Sequence, residues 1–116
     1  MNTNPTTQST EFLKGGLKMA VTILNLHISS RVWEVDPETA KWYVSEIKAI
    51  LVLLSQKQEL AYYYNNDLLV QVNDLDNHID QADSETREDE TWLNDLTDQL
   101  KTLIQGINTF LESTPS

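Results

Sequence analysis

No cysteine occurs anywhere in the 116 residues, which excludes a disulfide framework, a thiolate nucleophile, a zinc knuckle and an iron–sulfur cluster of the usual kind. Glycine is almost as scarce. Gly15, Gly16 and Gly106 are the whole set, so neither a dinucleotide-binding fingerprint, a P-loop nor a serine-hydrolase elbow can be written. The two histidines, His27 and His78, follow Leu24 and Leu75 at the third position back. That removes the Glu-x-x-His pairs of carboxylate-bridged di-metal bundles, and the zincin spacing is equally missing. With these motifs absent, we expect a non-enzyme without a cofactor.

Basic residues are scarce in one part of the chain only. Up to Asn66 there are six acidic and six basic residues; beyond it, twelve acidic residues face only Arg87 and Lys101, which accounts for the entire net charge of −10. The stretch from Asp74 to Asp98 holds ten carboxylates and one Arg. Lacking a Lys/Arg cluster, the chain is a poor direct ligand for nucleic acid or an anionic membrane. Long apolar runs are missing too: Leu17 to Ile28 is too short to span a bilayer and is interrupted by Asn25 and His27. The leader before it is uncharged to acidic, unlike a secretory signal. The expectation is a soluble, cytoplasmic protein.

What the sequence does contain is helical periodicity. Residues 1–9 are polar with Pro5 and read as a flexible tail, 10–112 as one helical domain, and 113–116 as a frayed end. A first helix should start at Ser9 or Thr10 and run to about Ser29. Leu13, Leu17, Ala20, Leu24 and Ile28 form its stripe, with Phe12, Met19, Ile23 and Leu26 beside it. A face that broad predicts a central, well-buried helix. Asp36-Pro37-Glu38 marks the next start, with Asp as cap and Pro at the first helical position. From there Ala40, Tyr43, Ile47, Ile50, Leu54, Lys57, Ala61, Tyr64 and Leu68 step by three and four. Leu68, Val72, Leu75, Ile79 and Ala82 continue the seam after a stutter beside Asn65-Asn66. One bent helix over 37–82 would reach ~70 Å, so two helices meeting near Asn66 fit a compact domain better. A last helix from about Asp83-Ser84 to Glu112 carries Leu93, Leu96, Leu100, Leu103, Ile107 and Phe110 on one seam. The fold expected is all-α: an antiparallel helical bundle of three long or four shorter helices, ending in an acidic helical hairpin joined at 83–86.

The acidic hairpin is the natural candidate site. Glu85, Glu88, Asp89 and Glu90 suit the positive end of the last helix, whereas Asp80 and Asp83 would sit unfavourably at the negative end of the preceding one. Like-charge pairs Asp76/Asp80 and Glu85/Asp89 add to that cost. A charge kept at such cost points to a cationic partner, a basic protein and among these a nucleic-acid-binding protein whose groove the carboxylates would fill. The contact set read from sequence is Asp76, Asp80, Asp83, Glu85, Glu88, Asp89, Glu90 and Asp95, with Tyr62 and Tyr63 as aromatic contacts. Two further classes follow from other features. Asp74, Asp76, His78, Asp80 and Glu85 fall at positions 1, 3, 5, 7 and 12 of a calcium loop, although Ile79 stands where the loop needs Gly; Asp74, Asp76, Asp80, Asp83 and Glu85 form a looser candidate set for a divalent cation in a cation-responsive protein. The broad face of residues 12 to 28 also suits a shared surface in a helical assembly, including a homodimer.

Overall fold

The computed structural model describes residues 9–30, 35–57 and 66–113, and among these the protein is an all-α bundle of four helices. They are α1 (Thr10–Ser30), α2 (Pro37–Ser55), α3 (Asn66–Gln81) and α4 (Glu90–Ser113), with a single 3-10 turn, Thr86–Glu88, ahead of α4.

Three of the four starts have a local cause. Ser9 Oγ accepts the Phe12 N–H at 3.0 Å, as a cap should. At α2, Pro37 opens the helix, but Asp36 caps by position only: its carboxylate takes the Thr39 hydroxyl at 2.6 Å instead of a backbone N–H. Asp89 Oδ2 accepts the Trp92 N–H at 3.0 Å and so starts α4.

Antiparallel order is visible in the pairs that cross between helices. Gly16 early in α1 lies against Ile50 late in α2; Lys41 early in α2 reaches Asp76 and Asp80 late in α3. Leu68 early in α3 lies against Gly106 late in α4, and Lys18 in α1 bonds Asn108 late in α4. Each helix packs on its neighbours in sequence, and α4 closes back on α1. The overall extents are 48 × 24 × 23 Å. Two helices of 10–12 Å diameter fit side by side in each short direction, which is the cross-section of a two-by-two bundle.

The core is one cluster drawn from all four helices. On α4 all six seam residues are buried, with Ile104 added. On α2 Ala40, Ile47 and Leu54 of the expected seam are fully buried, but Val44 and Leu51 take the places of Tyr43 and Ile50, which lie half-buried at its edge. Lys57 falls beyond the helix, which ends at Ser55, so α2 and α3 are separate and do not meet at Asn66. Ala61, Tyr64 and the exposed-tyrosine candidates Tyr62 and Tyr63 lie outside the described residues.

The largest correction concerns α1. It buries Leu13, Leu17, Ala20, Val21, Leu24 and Ile28, but Phe12, Met19, Ile23 and Leu26 are exposed. In a two-by-two bundle each helix turns only an inner arc to the core, so the remainder of this wide apolar face stands outside. Among the described residues no helix is long and apolar enough to cross a membrane.

Candidate functional site

Two groups stand out among the carboxylates beyond Asn66, one turned to α2 and one around the turn before α4. Asp76 is buried, at 9% exposure, on the side of α3 that meets α2. Its oxygens take Lys41 Nζ at 2.5 Å, Ser45 Oγ at 3.3 Å and Lys48 Nζ at 3.5 Å. Positions 41, 45 and 48 recur by four and three, so one face of α2 presents all three donors. Asp80, one turn on, shares Lys41 at 2.9 Å. Burial pushes the Asp76 carboxyl up, but the hydrogen bond and charge of Lys41, with the charge of Lys48, outweigh it and hold the group below the usual carboxylate range. For Lys41, burial acts to lower the ammonium pKa, yet the bonds and charges of Asp76 and Asp80 leave it raised. Asp76 and Asp80 therefore leave the docking set: the chain's own lysines neutralise them, and their i,i+4 repulsion becomes a bridge through Lys41.

The second group surrounds the turn between α3 and α4. This connection runs over 82–89, longer than the 83–86 expected, because a 3-10 turn occupies 86–88. Asp83 lies just past the end of α3, outside the helix itself. Its Oδ1 accepts the Thr86 N–H at 2.8 Å. That backbone bond, with the Thr86 hydroxyl and a further bond from the Glu85 N–H, holds the Asp83 carboxyl below its ordinary value despite a small opposing effect of burial. Glu85 and Glu88 belong to the 3-10 turn and not to α4, so of the four acids expected to favour the last helix's dipole only Asp89, as cap, and Glu90, in the first turn, do so. Asp83, Glu85, Glu88, Asp89 and Glu90 are all exposed. The basic residue among them, Arg87, donates from Nη2 to the Ile79 carbonyl at 2.9 Å, which ties it to the end of α3. The ion pairs that Lys41 and Lys48 make with Asp76 and Asp80 include none of these five.

From the turn the acidic surface continues along α4. Asp89, Asp95 and Asp98 line one shallow depression together with Trp92. Asp98 also faces Asp74 across a groove of about 350 Å³ between α3 and α4. Asp95 accepts a bond from Gln99 at 3.0 Å and stays exposed. His78 stacks on Trp92 with ring centroids 5.3 Å apart, which pins the end of α3 to the start of α4 beneath this surface. Asp98 and Trp92 were absent from the contact set read from sequence. The outward spacing of Thr91, Asp95 and Asp98 on α4 would have found Asp98, while the pairing of Trp92 with His78 has no sequence signal.

The calcium-loop spacing does not survive the helix. Residues 74–81 are helical, so alternate side chains diverge around the axis instead of wrapping an ion. Among the described residues no three acidic or histidine side chains converge as a metal-ion site.

Comparison with protein-family models, curated proteins and solved structures returns no match for this chain.

Proposed function

We propose that this chain is a non-catalytic, cytoplasmic binding module, an adaptor or inhibitor, that docks the acidic turn between α3 and α4 onto a basic protein surface. The observation that supports it is the density of exposed, internally unpaired carboxylates at Asp83, Glu85, Glu88, Asp89 and Glu90, with Asp95 continuing the row on α4. Two of them are fixed by capping bonds, so the row is presented on an ordered turn. A surface of one sign speeds encounter with its opposite, and the nucleic-acid-binding groove of a basic protein is among the surfaces it complements.

The test is affinity capture with stepwise salt elution, comparing the wild type with a variant carrying Asp83→Asn, Glu85→Gln, Glu88→Gln, Asp89→Asn and Glu90→Gln. Asn retains a capping oxygen, so the turn is kept while its charge is removed. The expected partner is basic, elutes at moderate salt and is lost by the neutralised variant. Equal retention of the same partner by both proteins would overturn the reading.

A further inference from the structure

The outer side of α1 carries an apolar stripe that the fold leaves uncovered. Phe12, Met19, Ile23 and Leu26 are 63%, 65%, 40% and 62% exposed. At 100° per residue they fall within a ~60° arc, turned away from the buried Leu17 and Leu24. With Gly16 the positions 12, 16, 19, 23 and 26 alternate steps of four and three, the seam of a helix that pairs with another helix. The flanking positions Gly15 and Thr22 are small and uncharged, and Glu11 and Ser29 lie at the outer margin. Gly15 supplies a second, separate observation. A Cβ built there meets nothing within 4 Å, so no contact among the described residues accounts for a residue that costs an exposed helix interior about 1 kcal/mol relative to Ala.

We infer that this stripe is the contact surface of a two-fold dimer, in which α1 packs antiparallel on α1 of a second copy with Met19 on the axis. In that register residues whose numbers sum to 38 oppose each other. Phe12 meets Leu26 of the second copy, Met19 meets its own copy on the axis, and Ile23 enters the hollow left by Gly15. The four side chains offer ~400 Å² of apolar surface per copy, within the range of the largest patch on a monomer. Doubled, and with the rim around them, they reach the ~1,200 Å² at which specific interfaces begin.

Charge selects the orientation. Since α1 and α4 run antiparallel, the acidic turn lies at the C-terminal end of α1. A parallel pair would set two such turns side by side. The antiparallel pair puts them at opposite ends of the dimer, separated by more than the ~10 Å Debye length at 0.1 M salt. This interface is independent of the docking reading, because none of its residues belongs to the acidic row.

Sedimentation equilibrium over micromolar to millimolar protein tests it, with the average mass expected to rise from one chain to two. Met19→Glu places two carboxylates on the axis and should weaken the dimer by about a hundredfold with unchanged helical circular dichroism. Val70→Glu, at an exposed apolar residue away from α1, should dimerise as the wild type does. Because the chain has no cysteine, single substitutions report the register. Met19→Cys should cross-link to itself on mild oxidation, Phe12→Cys should not, and a mixture of Phe12→Cys with Leu26→Cys should. A monomer at every concentration, a Met19→Glu variant that associates like the wild type, or Phe12→Cys linking to itself as readily as Met19→Cys would each overturn the proposal.

Discussion

Asp76 shows how one side chain can look like part of a charged surface and serve the interior. It is the buried polar residue among the described ones, and Lys41, Ser45 and Lys48 on α2 satisfy its oxygens. The lysines keep partial access to water, so Asp76→Asn should cost ~1–2 kcal/mol at neutral pH, less than a fully buried pair would. The sign of the pH dependence follows from the two shifts. The Asp76 carboxyl is lowered from 3.8, so its contribution is present above that value and is lost as pH falls through the folded-state value. Lys41 is raised from 10.5, so its contribution is complete below that value and disappears as pH rises through the folded-state value. Urea unfolding at a series of pH values should show the difference between wild type and Asp76→Asn at full size at neutral pH and much reduced well below pH 3.8. A difference of equal size at both would mean that the side chain contributes by shape and not by charge.

The turn between α3 and α4 separates acids that build the fold from acids that only decorate it. Asp89 starts α4 through the Trp92 N–H, so Asp89→Ala should cost about 1 kcal/mol, whereas Asp89→Asn should cost much less. The side chains of Glu85 and Glu88 show no capping role, and Glu85→Ala or Glu88→Ala should stay within about 0.5 kcal/mol of the wild type. Urea midpoints at constant slope would check the ranking, and a Glu85→Ala loss as large as that of Asp89→Ala would contradict it. The same distinction governs what the sequence made legible. α4 was plain, because its apolar residues are separated by polar ones and only one seam can be drawn; Ser9 and Pro37 marked two starts by chemistry confined to a few neighbouring residues. On α2 the adjacent apolar pairs Tyr43-Val44 and Ile50-Leu51 allow two seams, and only the neighbouring helices choose between them. On α1 the stripe from Leu13 to Ile28 was legible and is buried, but the apolar residues beside it gave no local sign that the bundle leaves Phe12, Met19, Ile23 and Leu26 outside. The role of Asp76 depends on a lysine 35 positions away, a separation that no local pattern reports.

Taken together, the folded chain is more asymmetric than its sequence. The neutral part up to Asn66 sends Lys41 and Lys48 to the α2–α3 seam, where they neutralise Asp76 and Asp80, and Lys18 to α4. The turn and the outer side of α4 keep their charge. Two effects of salt then oppose each other. Screening weakens the Lys41–Asp76 bridge, but that bridge is partly shielded from solvent and loses little; the carboxylates at 83–90 are exposed, so their mutual repulsion is screened well. Repulsion within the acidic turn should therefore dominate, and the melting temperature should rise by a few degrees as sodium chloride goes from ~20 to ~300 mM. Replacing Glu85, Glu88 and Glu90 by Gln should raise the low-salt melting temperature and remove most of its dependence on salt. A melting temperature that fell with salt in the wild type would place the controlling electrostatics at the Lys41 bridge instead, and the acidic turn would then carry no stored repulsion for a basic partner to relieve.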